Sequence, residues 1–243
     1  MALICLAAAL LGAGLVFLVR LILNAVPAKW LCDYDEKPTQ ELLDGERLSL
    51  KSTIPLAAIH TVCSAGTAYV YGLSLYSMAL VLILTVLLMI AWCDGKYMII
   101  PDQFTALLLL LSLAGAYCDL YTGQRFIRSW YSPLLGAVCG FLLFFFIDLI
   151  CRAVLKKDGF GFGDVKLFSV LGVLLGFPMV FLAFFFAVFT AFFHILFLYL
   201  TKKAEKEGYL PMGPDICIGT ALLLLLREPV FMALRMYLAL LGI

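Results

Sequence analysis

The chain has 243 residues, of which 65% are hydrophobic and 14% are charged, and its formal net charge is +1. Soluble domains carry about 25% charged residues, so this composition excludes an ordinary soluble enzyme and predicts an integral membrane protein. The net charge by itself identifies no partner; we expect the lipid bilayer as a partner, and no nucleic acid.

Apolar runs recur along the whole chain, and many approach the roughly 20 residues that a membrane-spanning helix needs. Backbone in contact with lipid must satisfy its own hydrogen bonds. We therefore predict an all-α fold, a polytopic membrane helix bundle with about eight transmembrane helices, in which residues 1–243 form a single integral-membrane domain. The predicted spans are 2–26, 54–71, 75–93, 103–120, 133–155, 165–176, 179–200 and 216–226.

The first apolar run, 2–26, has the length of a signal peptide. However, no lysine or arginine precedes it and no A-x-A cleavage site follows, so we interpret it as a retained helix. The polar stretch 27–53 comes next and contains one cysteine, Cys32. No CxxC pair occurs anywhere in the chain, so neither a zinc site nor a redox motif is predicted. The last segment, 229–243, reads as an amphipathic or half-buried piece.

Alternation of eight spans gathers twelve lysines and arginines on one side of the membrane, while the connecting loops of the other side hold only Arg125 and Arg128. Positively charged loops favour the cytoplasm. We therefore expect a multi-pass protein of the cytoplasmic (inner) membrane with its N-terminus outside. The twelve residues are Lys29, Lys37, Arg47, Lys51, Lys96, Arg152, Lys156, Lys157, Lys166, Lys202, Lys203 and Lys206.

This orientation brings two aspartates to the same membrane face, because Asp94 ends the third span and Asp164 begins the sixth. Two carboxylates held close together share one proton, since two negative charges repel each other. The ionised member can activate a water while the protonated member polarises a carbonyl, which cleaves a peptide without a covalent intermediate. The histidines, His60 and His194, sit alone in apolar segments and are interpreted as buried core residues.

Motifs for other catalytic chemistries are missing: the sequence contains neither HExxH nor GxSxG. We expect no metal and no cofactor.

The surroundings of both aspartates resemble the two signatures of the type IV prepilin peptidases. Asp94 lies eight positions before Asp102 of an Ile-Pro-Asp sequence, as in the first signature. The run DGFGFGDVKL at 158–167 resembles the second, E-G-M-G-x-G-D-x-K-L, with Asp158 and Phe160 in place of Glu and Met. The sequence PMGP at 211–214 resembles the P-F-G-P that opens the last helix of the family.

The resemblance implies an intramembrane aspartic endopeptidase that removes the leader peptide of prepilins or pseudopilins at the cytoplasmic face. It also implies that Asp94 and Asp164 are the catalytic pair. The residues expected to bind substrate are Gly161, Gly163, Lys166 and Asp102. The stretch 27–53 is too short for the zinc-binding domain that many members carry, and N-methylation of the product is left open.

Plainer structural roles exist for several of these residues. Asp164 is placed to cap a helix that begins at Val165, and Asp102 and Asp215 are placed to cap the helices that follow them. Lys166 has the character of an interfacial anchor whose stem lies along apolar surface. Asp148 and Arg152 are spaced for an i,i+4 ion pair.

Two other classes of function compete with a peptidase. A transporter or channel would also use intramembrane carboxylates, but it favours acids near the bilayer midplane and often an inverted repeat, neither of which the sequence indicates. A non-catalytic pilus or secretion assembly factor would tolerate the loss of both aspartates.

Overall fold

The computed structural model describes residues 1–32, 38, 42–43, 45–122, 126–127, 129–156, 161–201, 210–229, 231–232 and 236. Eight α-helices and one short 3₁₀ helix have both ends within this part of the chain. The α-helices are α1 (Ala2–Ala25), α2 (Leu50–Tyr71), α3 (Leu75–Tyr97), α4 (Asp102–Thr122), α5 (Ser132–Leu155), α6 (Phe162–Leu175), α7 (Met179–Leu200) and α8 (Gly213–Leu225); the 3₁₀ helix is Ala28–Leu31.

The predicted fold class is confirmed, because the described residues form a helical bundle of a multi-pass membrane protein. Five of its helices, α1, α3, α4, α5 and α7, are long and apolar enough to cross a membrane. The other three correspond to predicted spans that are shorter or less apolar. The outside location of the N-terminus stays a prediction, and several loop residues on which it rests lie outside the described residues: Lys37, Arg125, Arg128, Lys157, Lys202, Lys203 and Lys206.

The helix ends differ from the predicted ones at the aspartates. Helix α3 continues through Asp94 to Tyr97 and ends at Met98, which adopts the left-handed conformation with φ 55°. Helix α6 begins at Phe162, three residues before the predicted start. The prediction treated polar residues as the ends of spans, whereas a helix continues through Asp and Lys until its backbone geometry changes.

The start of α2 also lies earlier than predicted, at Leu50 instead of residue 54. Ser49 explains the position: it precedes the first turn in extended conformation, and its Oγ accepts a hydrogen bond from Ser52 N–H at 3.3 Å. A serine in this position satisfies an otherwise unpaired amide of the first turn.

The bundle has an inner pair of helices. Helix α3 contacts α1, α2, α4 and α8, and α6 contacts α4, α5, α7 and α8. In α6, ten of the 14 residues are buried. The ring of Phe168 on α6 packs against Phe144 of α5, with centroids 4.5 Å apart, and against Phe184 of α7 at 6.2 Å. Asp94 lies near the C-terminal end of α3, and Asp164 lies in the first turn of α6.

Part of the stretch predicted as a polar loop, 27–53, is packed against the bundle. The Arg47 side chain is buried and donates to the carbonyl oxygens of Leu23 and Val26 at the end of α1. The Arg47 carbonyl oxygen accepts from Trp92 Nε1 at 3.2 Å and from Lys96 Nζ at 3.0 Å. These bonds tie the end of α1 to the end of α3, beside Asp94.

Candidate active site

A cavity of about 670 Å³ lies between the C-terminal end of α3 and the N-terminal ends of α4 and α6. All six residues that the sequence singled out line it: Asp94, Asp102, Gly161, Gly163, Asp164 and Lys166. A second wall comes from the segment after α1 and from the residues before α8: Lys29, Trp30, Cys32, Pro211 and Met212. The structure thus brings residues from distant parts of the chain to one concave surface of the size that binds ligands.

Asp94 occupies the last turns of α3 and is 6% exposed. Its Oδ2 accepts a hydrogen bond from the backbone N–H of Gly213, the first residue of α8, at 2.8 Å. A Cβ placed on Gly213 would lie 2.6 Å from that oxygen. Glycine at this position therefore allows the backbone to approach the carboxylate and orient it.

Asp164 is the third residue of α6 and is 5% exposed. The interpretation of Asp164 as the cap of a helix starting at Val165 is wrong, because Gly161 precedes the first turn and Asp164 reaches back to it. Oδ2 of Asp164 accepts from Gly161 N–H at 3.2 Å. The other oxygen, Oδ1, is buried and has no hydrogen-bond partner among the described residues.

Asp102 and Lys166 form an ion pair across α4 and α6, with Nζ of Lys166 at 2.8 and 3.1 Å from the two carboxylate oxygens. Asp102 is the first helical residue of α4 rather than its cap, and Lys166 is engaged with protein rather than held only as an interfacial anchor. Both side chains are partly exposed, so the pair borders the cavity without being sealed in it.

The glycines before Asp164 contribute to the shape of the cavity. A Cβ on Gly163 would lie 3.2 Å from Cβ of Ile100, which belongs to the connection between α3 and α4. The absence of a side chain at Gly163 thus lets this connection approach the first turn of α6. The neighbouring signature residues Asp158, Gly159 and Phe160 lie outside the described residues.

The two histidines have different roles. His60 is buried and contacts Ser64 Oγ at 3.2 Å and Thr85 Oγ1 at 3.1 Å, as expected for a core residue. The prediction that His194 is a buried core residue on its own is wrong, because its Nδ1 lies 3.0 Å from Oδ2 of Asp215 on α8 and its side chain is 33% exposed. Asp215, read as a cap from the sequence, is the third residue of α8.

The wall formed by Lys29, Trp30 and Cys32 was not predicted from the sequence, because nothing in a polar stretch indicates which membrane helix it packs on. The same holds for the role of Gly213. A glycine next to Pro214 and close to an acidic helix start is nevertheless a recognisable pattern. The predicted ion pair of Asp148 and Arg152 is confirmed, at 2.8 Å.

Within the part of the chain that the structure describes, no three His, Cys, Asp or Glu side chains lie together so that they could hold a metal ion. The arrangement offers instead two buried carboxylates, each with one oxygen held by a backbone N–H, facing a shared cavity.

The sequence of this chain is similar to those of known proteins. The model of the type IV leader peptidase family matches residues 80–196, which include Asp94 and Asp164. A prepilin leader peptidase/N-methyltransferase of Bacillus subtilis is 34% identical over 73% of this chain and 67% of its own length. Proteins of the same name from Pseudomonas aeruginosa and Aeromonas hydrophila are each 25% identical, over 77% and 72% of this chain and 67% and 59% of their own lengths. No solved structure matches. The chain therefore belongs to the type IV leader peptidase family.

Proposed function

We propose that this protein is an intramembrane aspartic endopeptidase that cleaves the leader peptide of prepilins or pseudopilins, with Asp94 and Asp164 as its catalytic pair. The observation that carries the proposal is the shared cavity: both carboxylates are buried and line it, although they come from different helices. Buried acids are unfavourable in membrane proteins unless they are paired or functional.

The proposed mechanism follows from the surroundings of the two carboxylates. Oδ2 of Asp94 accepts a backbone N–H, and donation from an N–H stabilises the ionised form of a carboxylate. Oδ2 of Asp164 also accepts a backbone N–H, but at 3.2 Å rather than 2.8 Å. Oδ1 of Asp164 is buried and accepts no hydrogen bond from the described residues, so we assign the shared proton to that atom. The pair titrates as a unit, and this assignment describes its resting state.

Catalysis then proceeds by attack of a water. Asp94 removes a proton from the water while the proton on Asp164 is donated to the carbonyl oxygen of the scissile peptide bond. The tetrahedral gem-diol intermediate collapses when Asp94 gives its proton to the leaving amine. One hydroxyl of the intermediate returns its proton to Asp164 as the carboxylic acid product forms, which restores one shared proton. No covalent bond to the enzyme forms at any step.

The substrate class rests on the names of the relatives and on the membrane setting. The matching proteins are named prepilin leader peptidases. The distribution of basic loops supports a cavity that opens at the cytoplasmic face of the inner membrane. The relatives are also named N-methyltransferases. The arrangement of the two carboxylates bears on cleavage alone.

The direct test is incubation of the purified protein, in lipid, with a panel of prepilin leader peptides, followed by mass spectrometry of the products. Wild type is expected to cut at one bond, and Asp94→Ala and Asp164→Ala to lose at least about 1,000-fold in rate, as catalytic pairs that act as a unit do.

Asp148→Ala is the matched control, since it removes a largely buried membrane carboxylate away from the cavity, and we expect it to retain activity. Undiminished cleavage by either cavity variant contradicts the mechanism. Ion flux through liposomes without any cleavage would favour the transporter instead.

A further inference from the structure

Among the described residues, Oδ2 of Asp94 accepts one hydrogen bond, from the backbone N–H of Gly213 in the first turn of α8. The orientation of this carboxylate therefore depends on where that turn lies. A helix of 13 residues near a cavity is not fixed by its own hydrogen bonds alone, and short helices rely on tertiary contacts for their position.

Two contacts fix this turn to α7, and both are made by Asp215. Its carbonyl oxygen lies 2.8 Å from Thr190 Oγ1, and its Oδ2 lies 3.0 Å from Nδ1 of His194. The single hydroxyl hydrogen of Thr190 also has two acceptors within α7, Phe186 O at 3.0 Å and Ala187 O at 2.9 Å, and the bond to Asp215 is the shortest of the three. Thr190 and His194 are four residues apart, so they present their side chains on one face of α7. Further along the interface Gly219 lies against the backbone of Ala187, where a Cβ would be 2.6 Å from Ala187 N.

We infer that His194 and Asp215 are a positioning pair: they hold the first turn of α8 against α7 so that the Gly213 amide stays on Asp94. With Asp215 ionised, its carboxylate only accepts, so Nδ1 of His194 carries the hydrogen of this bond. The Asp215 side chain is 3% exposed, and a buried carboxylate that loses its partner is strongly disfavoured. The pair thus gives the turn one preferred position.

A role for Asp215 as an ordinary first-turn acid does not account for this contact. Acids are favourable in the first turn of a helix because of its dipole, but that effect requires no partner on another helix. The carboxylate of Asp215 turns instead to a histidine of α7, on the side of α8 that is packed. Neither Asp215 nor His194 touches the reacting atoms, so the effect of the pair on Asp94 is indirect.

The test compares His194→Phe, which removes the donor, with His194→Gln, whose amide still donates. This inference rests on the proposed peptidase function, so the kinetic readout uses the same leader peptide as above. We expect His194→Phe to lower kcat about tenfold or more with KM within about twofold, as misplacement of a catalytic group does. His194→Gln is expected to stay within about threefold of wild type.

A second readout does not need any cleavage. Deuterium exchange of the Gly213 amide should be about tenfold faster in His194→Phe, and somewhat faster in Thr190→Val, because opening of the turn exposes that amide. Arg152→Gln, which breaks the ion pair of α5, is the matched control and should change neither readout.

Unchanged exchange and unchanged kcat in His194→Phe would overturn the inference, as would equal losses in His194→Phe and His194→Gln. If wild type cuts no leader peptide, the proposed function fails, and faster exchange in His194→Phe still supports the anchoring of α8.

Discussion

Helix α3 and helix α1 look alike as apolar sequences, yet they occupy different environments. In α3, 61% of the most apolar 18-residue stretch is buried within the protein; in α1 the share is 17%, and in α5 and α7 it is 22%. Lipid tails are as apolar as leucine, so hydropathy does not distinguish a side chain facing lipid from one facing protein. Close packing and polar contacts determine which helix becomes the inner one.

Helix α7 illustrates the outer type. Phe185, Phe189, Phe192 and Phe193 are all at least 47% exposed to the surroundings of the protein, whereas Ala183, Ala187 and Ala191 face the bundle. The small residues allow α8 to approach, and the large residues cover the lipid-facing surface. Stability should therefore respond to a substitution according to the face it lies on, and not according to the residue type.

The largest expected effect on folding compares two phenylalanines of α5. Phe144 is fully buried between Phe168 and Phe184, whereas Phe146 is 52% exposed. Phe144→Ala should lower the free energy of unfolding by about 3 kcal/mol, because the cavity it leaves is lined by protein. Phe146→Ala should change it little. Unfolding in detergent micelles measures both, and equal losses would mean that packing against protein does not set the difference.

The next largest expected effect is on catalysis rather than on stability. Gly213→Ala places a methyl group 2.6 Å from Oδ2 of Asp94, whereas Gly95→Ala, next to Asp94 in sequence, meets only Pro214 at 3.5 Å. Displacing the carboxylate should lower kcat about 100-fold. Gly95→Ala should remain close to wild type. The measurement is kcat with a leader peptide. A fully active Gly213→Ala variant would mean that the Gly213 amide does not orient Asp94.

Two glycines, one at the inner interface and one on the outer surface, allow a finer comparison of stability. A Cβ at Gly172 of α6 would clash with backbone atoms of Gly136 on α5, while a Cβ at Gly14 of α1 would meet nothing within 4 Å. Gly172→Ala should cost about 2 kcal/mol of stability because backbone atoms cannot move aside. Gly14→Ala should be neutral or stabilising by up to about 1 kcal/mol. Thermal unfolding of the two variants, compared side by side, tests this ordering.

The smallest effect is expected at the ion pair of Asp102 and Lys166. The two side chains are 42% and 35% exposed, so solvent screens their attraction. A double-mutant cycle with Asp102→Asn and Lys166→Met should give a coupling free energy of about 0.5 kcal/mol that declines as salt is added. If the residues bind substrate as the family signature implies, KM for the leader peptide should rise more than stability falls.

The sequence by itself determined the class of fold, most of the helices and six of the residues that line the cavity. It did so because spans are encoded by local apolar runs, and because the two aspartates lie in compact local motifs. The predictions that were wrong concern helix ends and side-chain partners: α3 continues past Asp94, α6 begins before Asp164, and His194 contacts Asp215. Helix ends depend on local backbone geometry that hydropathy does not report.

Only the tertiary structure decided what surrounds the two carboxylates. The amide that holds Asp94 comes from Gly213, 119 residues away in sequence. Part of the cavity wall comes from the segment after α1, and Arg47 ties the end of α1 to the end of α3. Such contacts join segments that no local pattern connects. They are set by how the helices pack in a lipid environment, where fit rather than hydrophobicity selects the partners.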